Sequence, residues 1–153
     1  MNKVILCLVS SVGLTGFGCS TLNMQMPSYD ELLLAQTKQS GRACIRQRDI
    51  RGFGMLDDKV ISINGGKNHY YIATTLYQCH SLHASFSVGF ESQFSEFCSG
   101  NSSQIITSEE SCPIKSIYKF SSRKEAFAAF EQAENKRKAL KRKAEKAAQA
   151  EYD

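Results

Sequence analysis

Apolar residues along this chain change their spacing from region to region, and each spacing predicts an element. Val4 to Leu14 (VILCLVSSVGL) is a nearly continuous apolar run, too short to cross a hydrocarbon core about 30 Å thick as a helix. Further on, Pro27 precedes Ser28-Tyr29-Asp30-Glu31, a capping-box spacing that starts a short helix carrying Leu32, Leu33 and Leu34. Three successive leucines are costly to leave in water, so this helix is expected to dock on the rest of the protein. From Ala43 to Leu56, Cys44, Ile45, Ile50, Phe53 and Met55 lie among charges. That mixture suits one long bent strand with Gly52 and Gly54 as bend or bulge points, followed by a turn at Asp57-Asp58.

Alternation then takes over. Lys59 to Ile63 and Asn68 to Leu76 read as a strand pair, and Asn64-Gly65-Gly66-Lys67 between them supplies residues tolerant of positive φ. Ser85 to Phe90 (SFSVGF) places Phe86, Val88 and Phe90 on one face of a half-buried strand. A polar loop from Glu91 to Ser103, with one helical turn at Phe94 to Cys98, leads to strands at Gln104 to Thr107 and Pro113 to Phe120. The expected fold is therefore mainly β with a helical extension: a small antiparallel sheet or barrel-like domain of five to six strands over 41–122. After it, Ser122-Arg123-Lys124-Glu125 forms a second capping box, and Ala126, Phe127, Ala129, Phe130 and Ala133 form a stripe at helical spacing. A long C-terminal helix over 123–153 is expected, its first turns packed on the sheet.

Charge separates the end of that helix from everything before it. Residues 136–153 hold seven Lys/Arg against three Asp/Glu, while residues 19–135 hold eleven against twelve. The body is close to neutral, so the sequence offers no electrostatic support for nucleic-acid binding there. In the tail, Lys136, Arg137, Lys138, Lys141, Arg142, Lys143 and Lys146 are spread around the helix with Leu140 as the only large apolar residue. Such a segment has no apolar face to insert in a membrane. Glu134 and Lys138 make one favourable pair four residues apart, whereas Arg137 with Lys141, Lys138 with Arg142 and Arg142 with Lys146 repel. Contact with an anionic lipid or cell-wall polymer would relieve that repulsion; a solvated helix is the plain alternative.

The N-terminus sets the compartment. Lys3 before the apolar run and small residues after it read as a secretory leader over 1–18. Gly16-Phe17-Gly18-Cys19-Ser20 resembles the bacterial lipobox, with Gly16 standing where that pattern prefers Leu. The resemblance implies acylation of Cys19 after the leader is cut. Residues 19–40 then form a lipidated tether with its short helix, and Ser20 in place of an aspartate points to the outer membrane. Several acyl chains on one residue make such attachment stable. With Cys7 in the leader and Cys19 acylated, Cys44, Cys79, Cys98 and Cys112 remain. Four cysteines in an oxidising compartment imply two disulfides, with three connectivities open. A simple up-and-down meander would favour Cys44 with Cys98 and Cys79 with Cys112. A core of this size is marginal alone, so bridges contributing roughly 2 to 4 kcal/mol each matter.

The order Arg42-x-Cys44-Ile45, Ile50-Arg51, Asp57-Asp58, a hairpin ending in Tyr71, Cys79-x-x-Leu82, Phe97-Cys98 and Cys112-x-Ile114 resembles a family of small Gram-negative envelope lipoproteins with a four-cysteine β domain of unknown function. The resemblance covers about residues 42–120. It departs from the family pattern at His80-Ser81, at Asn101 and around Glu110 and Ser111. It implies the envelope address and the disulfides, and brings no activity with it.

Catalytic chemistry finds few candidates. The chain has no GxSxG, no HExxH, no Gly-rich phosphate loop and no Trp. His69 sits alone in a strand, and Asp57 and Asp58 are adjacent, so on an extended backbone they point opposite ways and cannot act as an acid and base couple. Cys79-His80-x-x-His83 could supply metal ligands, but no paired CxxC accompanies it. The expectation is a non-enzymatic module without a cofactor, held to the membrane by its lipid and facing the periplasm. A hydrolase or redox enzyme with a site assembled from loops, or a metal-binding protein using Cys79, His80 and His83, are the alternatives.

Overall fold

The computed structural model describes residues 26–100 and 102–150. The chain runs α1 (Tyr29–Thr37), β1 (Cys44–Arg46), a 3₁₀ turn (Gln47–Asp49), β2 (Gly52–Asp57), β3 (Val60–Asn64) and β4 (Tyr70–Thr75). A second 3₁₀ turn (His80–His83), β5 (Gly89–Ser92), β6 (Glu96–Cys98), β7 (Ser103–Ile106), β8 (Ser111–Phe120) and α2 (Arg123–Ala150) complete it. Six strands form one antiparallel sheet in the order β2-β3-β4-β8-β7-β5, curled into a half-barrel, and β1 and β6 form a separate two-stranded ribbon. The small antiparallel sheet with a long C-terminal helix is thus what the sequence forms.

Strand β8 is the joint of the sheet. Its first three residues pair with β7 and the remainder with β4, so one ten-residue strand serves two partners in succession. Between them the register skips Lys115, since Thr74 faces Ser116 while Thr75 faces Ile114. A bulge of this kind bends the strand and re-aims its side chains. Accordingly Cys112, Ile114 and Ile117 all reach one core cluster, with Ile61, Ile63, Tyr71 and Ala73, although strict alternation would turn Ile117 the other way. Beyond the bulge Tyr118 and Phe120 turn to the opposite face with Val60 and Ile72.

Several local expectations are corrected. The stretch 43–56 is two short strands broken by the 3₁₀ turn at Gln47–Asp49, where Arg46 Nε meets Asp49 Oδ2 at 2.8 Å. Gly52 and Gly54 sit in regular register opposite Asn64 and Ser62, and the irregularity falls between Met55 and Asp57. Phe86 is fully exposed and lies ahead of β5, whose ladder begins at Gly89 opposite Ile106. The partner strand ends at Ile106, because Thr107 N turns to donate to Glu110 O, so Phe86 to Val88 have nothing to pair with. The helical turn expected at Phe94 to Cys98 is instead a bend at residues 93–95 followed by β6 (Glu96–Cys98). Ser92 Oγ donates to Glu96 O at 2.6 Å across the turn, and buried Phe97 faces Ile45 on β1.

The connection between β3 and β4 is as the glycines suggest. Gly66, Lys67 and Asn68 all have positive φ, and Gly65 is pressed so closely on Tyr71 that a Cβ there would lie 2.5 Å from the ring. Helix α1 carries the full capping box: Glu31 N donates to Ser28 Oγ at 3.2 Å and Ser28 N to Glu31 Oε2 at 2.9 Å. Leu32 and Leu33 are buried and Leu34 is partly exposed. In α2 the apolar stripe packs down through Ala126, Phe130 and Ala133, with Phe127 and Ala129 alongside. No helix among the described residues is long and apolar enough to cross a membrane.

Candidate functional site

The four cysteines form two bridges, Cys44 to Cys98 and Cys79 to Cys112. This is the pairing a meander favours, reached by another route, since the sheet is not a meander. Cys44 and Cys98 stand directly opposite each other on the β1–β6 ribbon, with their Cα atoms 4.1 Å apart. Ile45 and Phe97, one position along, point into the core and leave this bridge on the outer side. Cys79 and Cys112 are fully buried and tie the 3₁₀ turn at His80–His83 to the start of β8. Cys19 lies outside the described residues.

Cys79, His80 and His83 do not stand together as free ligands. The Cys79 sulfur is committed to Cys112, and His83 Nε2 lies 2.8 Å from Asp58 Oδ1 at the surface. Within the same turn Ser81 Oγ contacts both Thr107 Oγ1 and Glu110 Oε1 at 2.7 Å, and Ser81 N donates to that same carboxylate oxygen at 2.7 Å. A hydroxyl beside a carboxylate invites a catalytic reading. The hydrogen bonds from Ser81 hold the Glu110 carboxyl below its ordinary range, which makes it a weak proton acceptor at neutral pH. Its arrangement is that of a cap on the turn.

A denser set of polar side chains gathers where α1, the β2–β3 turn and α2 meet. Tyr29 stacks on Phe130 with ring centroids 5.3 Å apart, and its hydroxyl donates to Asp57 Oδ2 at 3.2 Å. Burial raises the pKa of Tyr29, opposed by the nearby Arg137 guanidinium. The Arg137 guanidinium lies 4.7 Å from the centre of the same ring on the α2 side. Next along α1, Asp30 is buried and accepts from Tyr118 Oη at 2.6 Å while Lys115 Nζ approaches at 3.1 Å. Burial alone would raise the Asp30 pKa, but hydrogen bonds from Ser116, Tyr118 and Lys115, with the charge of Lys115, bring it below the ordinary value. Tyr118 is driven strongly upward by burial and by its bond to Asp30. Lys115 alternates with Ile114 and so falls on the helix side of the sheet, where Asp30 lies.

Among the seven basic residues of the tail, Lys136, Lys138, Lys141, Arg142, Lys143 and Lys146 are exposed, and Arg137 is half-buried. Lys138 Nζ meets Glu134 Oε1 at 2.7 Å, and Lys141 lies 4.0 Å from Glu145. The structure therefore splits the tail, which in sequence reads as one uniform charged stretch. Arg137 belongs to the folded body, and the charges beyond it stand in solvent. Sequence reasoning misses Tyr29, Asp57 and Arg137 as a group. The available signal was an aromatic residue inside a capping box and an arginine seven positions after Phe130 on the packed stripe, and neither points to the other without the fold.

The family model for DUF6491, described as a family of unknown function, matches residues 1–149. No curated protein and no solved structure matches the chain.

Proposed function

Because the chain belongs to this family of unknown function, we propose a role built from its leader, its tether and its basic helix: a non-enzymatic envelope protein, lipid-anchored through Cys19. It acts as a binding or structural module, on the periplasmic side of the outer membrane. The Lys3, apolar run and Gly18-Cys19 order supports the anchor. The observation that carries the rest is the contact between α1 and α2. Tyr29 stacks on Phe130 and underlies Arg137, so the start of the domain and the start of the basic stretch share one end of the molecule.

Met26, the first described residue, follows Cys19 by seven positions, which span at most about 25 Å when fully extended. An anchored domain is thereby held close to the lipid surface, and α2, about 42 Å long at 1.5 Å per residue, carries its exposed lysines and Arg142 within reach of anionic lipid or cell-wall polymer. Each basic residue near such a surface contributes about 1 kcal/mol, and the effect fades within a Debye length of about 8 Å at physiological salt.

The test is fractionation of cells expressing the wild type and Cys19→Ala. Wild-type protein should sediment with membranes and the variant should move to the soluble periplasmic fraction, retaining its disulfides. Recovery of Cys19→Ala in the membrane pellet at wild-type level would remove the anchor from this reading.

A further inference from the structure

Arg137 stands apart from the other basic residues of α2. Its Nε is enclosed and has no hydrogen-bond partner among the described residues. Nor does its guanidinium make an ion pair with a carboxylate there. Its guanidinium carbon lies instead over the Tyr29 ring, 4.7 Å from the centre. A cation drawn partly out of water is costly unless an opposite charge or good hydrogen bonds replace the lost hydration. The aromatic face returns only part of that cost.

The guanidinium forms one wall of a groove of about 420 Å³, shared with Tyr29, Asp57, Glu134, Lys138 and Lys141. The two carboxylates in that wall are already engaged, Asp57 by the Tyr29 hydroxyl at 3.2 Å and Glu134 by Lys138 at 2.7 Å. Of the cations, Arg137 has no carboxylate and Lys141 has only Glu145 at 4.0 Å. Four residues apart on the helix, Arg137 and Lys141 lie on one side of it, one above the other. Asp57 keeps its charge, since a hydroxyl does not neutralise it, so the lining holds three cations against two carboxylates and is positive by one, with a guanidinium and an ammonium one turn apart. That combination matches an oxyanion with several oxygens, the fork taking two of them and the ammonium a third.

We propose that this groove binds a phosphate group, with Arg137 as the fork, Lys141 as the second cation and Tyr29 as the platform that fixes the fork. The inference deepens the reading of α2 as the face toward anionic envelope material and rests on it for the identity of the source. The groove opens beside Met26, where the tether enters, so a lipid headgroup phosphate and a free phosphate are both within its chemistry.

The full-length protein in neutral detergent would be titrated with inorganic phosphate and, at matched ionic strength, with chloride, following the melting temperature and the ³¹P line width. Phosphate should stabilise the wild type where chloride does not. Arg137→Gln should weaken the apparent phosphate affinity at least tenfold. Lys141→Gln, a change at an exposed position that leaves the fold alone, should weaken it several-fold, and Arg142→Gln should leave it unchanged.

A second arm dopes the micelles with phosphatidylglycerol. If the ligand is a headgroup, doping competes with inorganic phosphate, and Arg137→Gln abolishes the competition; if it is free phosphate, doping leaves the titration unaltered. Equal responses to phosphate and chloride in both arms would overturn the groove. So would an Arg142→Gln loss as large as that of Arg137→Gln, which would mean that the charge of the helix acts as a whole. The broader reading of α2 fails by a different measurement, if a chain ending at Asn135 binds anionic vesicles as tightly as the full chain.

Discussion

On one face of the sheet Ile61, Ile63, Ala73, Ile105 and Ile117 pack beneath a two-stranded ribbon and beside a buried disulfide, whereas on the other Val60, Ile72, Tyr118 and Phe120 are covered by α1 and α2 alone. The first face is closed by covalent bonds and apolar contact. The second is closed by helix docking, pinned by Asp30 with Lys115 and Tyr118 and by Tyr29 with Asp57 and Arg137. The helix side is thus the one whose stability responds to pH and salt, and it is also the side that carries the groove and the basic tail. The difference separates what keeps the domain folded from what its surroundings can act on.

The largest effect should come from removing the buried bridge. In the chain-entropy view the two disulfides are nearly equal, at roughly 4 kcal/mol each, because stabilisation grows only with the logarithm of loop length and their separations are 33 and 54 residues. Burial then decides between them. Cys79 and Cys112 are fully enclosed, so the double change to Ala also leaves a gap in the core, while Cys44 lies at the surface. Chemical denaturation should show Cys79→Ala/Cys112→Ala less stable than Cys44→Ala/Cys98→Ala. The opposite order would mean that the ribbon, not the buried bridge, secures the first face.

A middle-sized effect should follow from Asp30→Asn, which keeps the shape but removes the charge facing Lys115 and Tyr118. Hydrogen bonds to a charged group contribute about 1.5–3 kcal/mol, and losing the charge should cost a loss of that order at neutral pH. The pH dependence sharpens the point. Because the folded-state pKa of Asp30 lies below its ordinary value, its contribution is fully present above the unfolded pKa and is lost as pH falls through the folded one. The wild type should therefore lose its advantage over Asp30→Asn as pH falls from the unfolded pKa through the folded one, with the two melting curves converging at the acid end. Curves that stay parallel throughout acidification would show that the helix face is not held by this charge.

The smallest effect on stability should be that of ending the chain at Asn135. The buried positions of α2 stop at Ala133, and in the removed part the contact of Arg137 with Tyr29, about 0.5–1 kcal/mol, is set against the cost of enclosing that cation. A change in melting temperature of no more than a few degrees, with disulfides intact, is expected by calorimetry. A drop as large as that of the buried-bridge variant would mean that the outer half of α2 belongs to the folded body.

The capping box of α1, the Ser122 cap of α2, the β3–β4 hairpin glycines, the helical stripe of α2 and the charge asymmetry of its tail are legible in the chain, since each depends on residues a few positions apart. The Glu125 carboxylate, however, accepts from Ser121 N and does not close a box on Ser122. Capping, turn chemistry and amphipathic period are local, and local physics is written in order along the sequence. The strand at Phe97 and the exposure of Phe86 were not legible, because a strand exists only where a partner runs beside it. Phe97 finds β1, while the partner of Phe86 has already turned at Thr107.

The bulge at Lys115 likewise depends on one strand serving β7 and β4 in turn, which no local pattern in Ser111 to Phe120 encodes. The same holds for the candidate groove. The sequence by itself determined that Arg137 is basic and helical and that Tyr29 opens a helix. Only the tertiary structure decided that, 108 positions apart, they come into contact, because packing α1 against α2 through Leu33, Phe130 and Ala133 is a global minimisation of exposed apolar surface, and the polar groups carried with it come together as its consequence.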